Sequence, residues 1–289
     1  MNHSIRPALA VITLALSGLA AAAPLAFDSF DSYAAGTGIA GSNGGTGWAG
    51  GWTGSTGATV RAADSSDAPM SGNALGFVGN NDNAASRSLS TTVSSNVWVE
   101  FMFQFDAGQM NNNDFLALRF GPPAGDSTSV PNIGLKANCG GGTANCTADL
   151  FVRLSGTGGS FSTNISAGQT YRLLGYLQKV NNSSTYNRFD LWVDPSEADL
   201  TDVESYDARA TGSTILSSFS TVAWRSAELD SSPQDRLLVD NLGLYDSVPT
   251  QQRPGSNGFS GTVPEPDSLA LSGLALWALM VSRRRKLRG

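Results

Sequence analysis

Three carboxylates, Glu197, Asp199 and Asp202, fall within the ten residues "PSEADLTDVE". Two facing carboxyl groups about 5 Å apart, one a proton donor and the other a nucleophile, are what retaining glycoside hydrolysis requires. The surroundings do not favour that use. The segment follows Asp194-Pro195, shows no apolar alternation that would make it a core strand, and lies among polar residues. Water there leaves every carboxyl ionised, and a general acid needs an apolar pocket or a neighbouring charge to keep its proton. Ser196, with acids just behind it, can instead cap a short helical turn. A third use is calcium, which takes six to eight oxygen ligands; Asp194, Glu197, Asp199 and Asp202 are the candidates. The expectation is a solvated acidic loop, no catalytic residue, and Ca2+ as the one cofactor with any donor set to hold it.

A sugar can also be held without catalysis, by aromatic faces and hydrogen-bonding amides. Trp48 and Trp52 sit in the glycine-rich "GGTGWAGGW", where an exposed indole could stack on a ring. The alternative is that both pack over a sheet edge, with Trp192 and Trp224 filling the core. The single histidine, His3, lies within the first 23 residues, so the remainder of the chain has none. That removes Ser-His-Asp and Cys-His nucleophile systems and imidazole-dependent zinc sites. Both cysteines fall in "NCGGGTANC". Cys139 and Cys146 bracket a short glycine-rich loop flexible enough for disulfide geometry, and an oxidising compartment would favour the bond.

The two ends point to that compartment. Arg6, an apolar stretch from Ala8 to Leu19 and the small residues of "SGLAAAA" have the layout of a secretory signal, here residues 1–23. At the other end, "VPEPDSLALSGLALWALMVSRRRKLRG" carries no charge from Leu269 to Val281 and then Arg283, Arg284, Arg285, Lys286 and Arg288. As a helix, Leu269 to Ser282 would reach about 21 Å, a short span against a bilayer core of about 30 Å. The cations hold its end on the cytoplasmic side. Without Arg6 and the five tail cations, 12 of the 18 Lys and Arg remain; without Glu265 and Asp267, 22 of the 24 acids do. The intervening chain is therefore near −10 instead of −6. Nucleic acid is a poor partner for it, since binding there depends on cations that neutralise phosphates.

Between the ends, short alternating segments dominate. In "VWVEFMFQFD", Val97, Val99, Phe101, Phe103 and Phe105 share one face. "FLALRFG", "DLFVRLS", "YRLLGYLQ", "RFDLWVD" and "RLLVDNLGLYD" read as further strands between Gly, Asn, Ser and Pro loops. The fold class is all-β, an antiparallel sandwich whose two sheets bury alternate apolar faces. Residues 24–246 form the β domain, 247–262 ("SVPTQQRPGSNGFSGT") a polar linker, and 263–289 the tail.

Two resemblances add to this. Pro264, Glu265 and Pro266, the apolar run and the terminal "RRRKLR" resemble the PEP-CTERM sorting signal of Gram-negative bacteria. That resemblance implies an exosortase as processing enzyme beside signal peptidase, transient anchoring in the inner membrane by the short transmembrane helix, and a final place at the cell surface or in the extracellular matrix. "FDSFDSYAAGTGIAGSNGGTGWAGGW", "YRLLGYLQKVNNSSTYNRFDLWVDP" and "LLVDNLGLYD" resemble segments of concanavalin A-like jelly-roll domains, a family of lectins, glucanases, laminin G-like modules and domains without known ligand. Glucanases of that fold carry E-x-D-x-x-E or E-x-D-x-E on one strand. Glu197, Asp199 and Asp202 depart from it by the final aspartate. The expected role is structural or adhesive, in association with exopolysaccharide, with a carbohydrate-binding module and then a glycosidase as alternatives.

Cys139 and Cys146 are expected to be bonded to each other. Peptide mapping of the exported protein without reduction should yield one cross-linked loop, and Cys139→Ala should cost about 1–3 kcal/mol. Two free thiols would refute the pairing.

Overall fold

The alternation in β6 (Val97–Phe105) sets the architecture. Val97, Val99, Phe101, Phe103 and Phe105 are all buried in one continuous core, while Trp98, Glu100, Met102 and Gln104 face the other way. Successive strand residues point to opposite faces, so one such strand defines an inside and an outside. The computed structural model describes residues 23–62, 70, 72–105, 114–121, 130–137, 149–155, 159–166, 168–229 and 237–249. The chain divides into two units, Met1–Gln252 and Arg253–Gly289, and every described residue lies in the first. Cys139, Cys146, the first apolar segment, the Pro-Glu-Pro segment and the basic tail lie outside the described residues.

Two antiparallel sheets enclose the core. The other strands are β1 (Pro24–Asp28), β2 (Thr53–Gly54), β3 (Ala58–Ala62), β4 (Asn73–Phe77), β5 (Asn81–Val93), β7 (Phe115–Phe120), β8 (Asn132–Lys136), β9 (Leu150–Arg153), β10 (Ser160–Ser162), β11 (Thr170–Gln178), β12 (Arg188–Val193), β13 (Ala208–Thr211), β14 (Phe219–Ala227) and β15 (Leu237–Tyr245). One sheet runs β13-β12-β11-β6-β15-β4-β3, with β1 beside β15; the other runs β10-β9-β8-β7-β14-β5-β2. The chain changes sheets between β1 and β2, β2 and β3, β4 and β5, β5 and β6, β6 and β7, β10 and β11, β13 and β14, and β14 and β15. Local meanders β7 to β10 and β11 to β13 fill the gaps. The one helix among the described residues is α1 (Glu197–Thr201), and none there is long and apolar enough to cross a membrane.

β15 is shared by two partners on one edge. Leu237 to Val239 pair with β4, and Leu242 to Tyr245 pair with β1. Between them the register to β6 shifts at Asp240/Gly243, with Asn241 at φ 54°. An irregularity of this kind re-aims the chain, and here it keeps both Val239 and Leu242 in the core. Asparagine tolerates the left-handed conformation better than most residues.

The glycine-rich segment before β2 lies directly on β1. Phe27 and Thr46 exchange backbone hydrogen bonds of 2.9 Å. A Cβ at Gly47, which has φ +79°, would sit 2.0 Å from the Leu25 carbonyl oxygen, so only glycine fits. This layer carries in the residues of a buried polar node. Asp28 on β1 and Arg87 on β5 belong to different sheets, point inward and pair at 2.7 Å, each side chain 1% exposed. Asp28 also accepts from the Phe30 amide, the Tyr33 hydroxyl and the Trp52 indole. Arg87 donates further to the Gly50 carbonyl and Asn43. Burial and the adjoining Asp28 carboxylate push the Tyr33 hydroxyl above its ordinary range, so it stays a donor.

Breaking a buried pair strands a charge, which costs about 3–5 kcal/mol. Asp28→Ala should lower stability by that order in denaturant melts. Gly47→Ala should also destabilise, by more than about 1 kcal/mol. A neutral Asp28→Ala would mean that the two sheets are held together without this node.

Candidate functional site

The residues singled out by type and spacing come to different places. Ser196 caps α1 in a reciprocal box: its hydroxyl accepts from the Asp199 amide, and Asp199 Oδ2 accepts from the Ser196 amide and hydroxyl at 2.7 Å. Those bonds hold the Asp199 carboxyl below its ordinary range, which suits a fixed anion and not a proton donor. Glu197 and Asp202 are exposed. Asp202 accepts from the Glu204 amide, and Asp194 accepts from the Arg172 amide. These carboxylates therefore serve turns and a cap. Among the described residues no three His, Cys, Asp or Glu side chains come together to hold a metal ion.

The tryptophans do not form an open platform. Trp52 is 1% exposed and spends its indole N–H on Asp28, which corrects the expectation of a sugar-facing ring. Trp48 is partly buried, donates to the Phe27 carbonyl and has the Arg87 guanidinium 4.9 Å from its ring centre. The pull of the Asp28–Arg87 node draws both indoles inward. What their loop offers outward is backbone: Gly50 and Gly51 border an open cleft of about 390 Å³ with Thr53, Ser86, Ser88 and Thr221. Trp224 fills the core, whereas Trp192 packs on the outside of the eight-stranded sheet with Trp98 and Leu174.

The cleft lies at the β2–β5 end of the outer face of the seven-stranded sheet. Leu116, Leu118, Ile133, Leu150, Val152 and Trp224 face the core, so their alternates face out. Cross-strand pairing aligns these alternates in rows. Thr53 pairs with Ser86, Ser86 with Ala223, Ala223 with Arg119, Arg119 with Asn132 and Asn132 with Arg153. This single row crosses six strands. In the next, Phe161 pairs with Phe151, Phe151 with Gly134, Gly134 with Ala117, and Ala117 with Arg225.

Three guanidiniums thus share one face, braced by phenylalanines. Arg153 lies 4.9 Å from the Phe151 ring centre and Arg225 5.3 Å from that of Phe115. Phe115, Phe151 and Phe161 touch in sequence at 5.8 and 5.6 Å. Arg225 pairs at 2.9 Å with Asp82, whose side chain is 83% exposed, and Arg119 donates to the Asp82 carbonyl. Burial, then the charge of Arg225, draws both Arg119 and Arg153 below their ordinary range. Guanidinium remains charged through such shifts. Along the row Ser86, Arg119, Asn132 and Arg153 are buried, whereas Thr53 and Ser88 at the cleft end are exposed. Sequence reading passed over it, since a single arginine in "LALRF" and in "LFVRL" looks like ordinary strand alternation.

With this geometry in view, similarity to known proteins can be stated. Residues 262–286 match the family described as the PEP-CTERM protein-sorting motif. The chain carries that motif at its C-terminus, and the motif implies export, membrane-anchored sorting and processing by an exosortase. No curated protein sequence matches the chain. Among solved structures, the receptor binding domain of botulinum neurotoxin type G is 9% identical, with a TM-score of 0.42 over 71% of this chain and 45% of that one. The carbohydrate recognition domain of Emp46p in its potassium-bound form is 15% identical, with a TM-score of 0.42 over 68% and 89%. Domain 4 of AbnA, an extracellular arabinanase of Geobacillus stearothermophilus, in complex with arabinotriose, is 13% identical, with a TM-score of 0.41 over 81% and 98%.

Proposed function

We propose that this is an envelope or matrix protein that holds exopolysaccharide without cleaving it. Signal peptidase removes residues 1–23, the short helix within 263–289 anchors the chain in the inner membrane, and exosortase acts near Pro264, Glu265 and Pro266. The body, a jelly roll of the concanavalin A-like type in this reading, is then the part that meets the glycan. The repeated change of sheet along the chain supports that type, though fold alone does not assign a function.

The observation that carries the reading is the open cleft in which the backbone of Gly50 and Gly51 and the hydroxyls of Thr53, Ser88 and Thr221 come together. The cleft lends itself to holding and not to hydrolysis. Calcium remains a proposal resting on Asp194, Glu197, Asp199 and Asp202 alone.

Protein recovered from the surface of its native host should lack Arg283 to Gly289 by intact mass. It should be retained by the host exopolysaccharide and leave the polymer undegraded. Turnover that disappears in Glu197→Gln would replace this reading with a hydrolase. A lack of retention would leave a structural role away from glycan.

A further inference from the structure

Gly50 is a glycine that the fold does not ask for. Its backbone lies outside the left-handed region, and a Cβ built there would meet no atom within 4 Å. Its neighbours differ. A Cβ would stand 2.0 Å from the Leu25 carbonyl oxygen at Gly47 and 3.1 Å from the Gly41 carbonyl oxygen at Gly51. Glycine loses more chain freedom on folding than any other residue, so it is a costly choice where neither strain nor crowding requires it. Gly50 borders the cleft, and a side chain there would crowd it.

The loop is held on both sides of this position. The Ala49 amide donates to the Ser88 carbonyl at 2.9 Å, and the Trp52 amide donates to that of Ser42 at 2.8 Å. The Gly50 carbonyl accepts from Arg87 Nε at 2.7 Å. Between these anchors the Gly50 and Gly51 amides have no partner among the described residues. Two fixed backbone donors thus stand at the cleft with the hydroxyls of Thr53, Ser88 and Thr221. Thr53 and Ser88 are exposed, Thr221 is half-buried, and the Thr53 hydroxyl is steadied by Ser86 at 2.7 Å.

All of these groups are neutral. Arg87, the charged residue that lines the cleft, is 2% exposed, and its charge is met by Asp28 at 2.7 Å. Further donors of Arg87 go to the Gly50 carbonyl and Asn43. An anionic group entering here would give up water and meet no free cation. Trp52 is buried and Trp48 packs against the core, so stacking is not what the cleft offers. A sugar hydroxyl donates and accepts at once, as Ser and Thr hydroxyls do, and it can accept from a backbone amide. The volume, about 390 Å³, is at the small end of ligand sites, which span about 300–1,000 Å³.

We propose that the cleft binds an uncharged sugar unit of the exopolysaccharide, with the Gly50 and Gly51 amides donating to its oxygens. Thr53, Ser88 and Thr221 exchange hydrogen bonds with its hydroxyls, and the missing side chain at Gly50 leaves the room. The amides are already fixed by the anchors on either side, so little freedom is lost on binding. This inference rests on the glycan-holding reading and adds the place of contact and the neutral character of the unit held.

The test uses the full-length chain in mild detergent and affinity electrophoresis through gels containing a neutral galactomannan, a neutral β-glucan, a polyuronate or the host exopolysaccharide. Retention by a neutral polymer or the host polymer is expected, and it should not change as salt rises, since no ion pair is made. It should weaken about tenfold or more in Gly50→Leu, which fills the cleft and displaces several hydrogen bonds. Gly50→Leu should melt within about 2 °C of the parent, because the fold has room for the side chain. Should it melt lower or not fold, Ser88→Ala at an exposed position decides, with an expected loss of about threefold or more. Retention by the polyuronate alone, or retention that salt weakens, overturns the neutral-sugar inference and leaves glycan holding intact. So does retention that the deciding variant leaves unchanged. Retention by none of the four polymers overturns both.

Discussion

The Asp28–Arg87 pair is the contact on which the rest of the sandwich depends. Each residue belongs to a different sheet, and both point inward where an apolar pair would be expected. Desolvating two charges is costly, and the cost is met only when every lone pair and proton has a partner. Here the Phe30 amide, Tyr33, Trp52, Asn43 and the Gly50 carbonyl supply them. All five lie between β1 and β2. The glycines of that segment follow from the same need, since Gly45 and Gly47 must bring the chain against the backbone of β1. A segment rich in glycine would otherwise be expected to wander. It is fixed because a buried carboxylate and guanidinium require what it carries.

The node also decides what is left for the surface. Trp48 and Trp52 are drawn in, and Arg87 points into the core. Their neighbours on β5, Ser86 and Ser88, consequently point out with Thr53 and Thr221 and line the cleft. The polarity of the outer face is thus the reverse side of the packing inside. Alternation makes the two inseparable: one residue of slip in β5 would turn Arg87 and Leu89 outward and Ser86 and Ser88 toward the core. The same argument holds in β7 and β9, where Leu118 and Val152 in the core place Arg119 and Arg153 outside.

How much of this could be read from the chain follows from how each strand spends its residues. β6, β7, β9, β11, β12 and β15 declare themselves because their inward positions hold large apolar side chains. β5 does not. "NDNAASRSLSTTV" has alanines inward and serines outward, and an alternation of small residues carries almost no hydropathy signal. β14 hides in the same way behind Ser, Thr and Ala. The seven-stranded sheet, and the candidate site on it, was therefore the less legible half. The acidic "PSEADLTD" drew attention because carboxylates at close spacing suggest chemistry, yet their partners are local amides and the Ser196 hydroxyl. Ser196 as a cap was readable from its place before the acids. The arginine row was not, because its members lie far apart in sequence and meet only through the register of β7, β8 and β9.

The two outer faces differ in what lies on them. On the eight-stranded sheet, Trp98, Leu174 and Trp192 are covered by Leu200 of α1, Tyr206, Tyr245 and Val248. Pro24 at the start of β1 pairs with Tyr245 at the end of β15, so both ends of the body reach this sheet at one place. The described chain then runs past Val248, still packed on that outer cluster. The guanidiniums stand on the other sheet. The first and last strands of the body stand side by side in the eight-stranded sheet. The first strand can join only when the last has arrived, so the sheet closes at the point from which the linker departs.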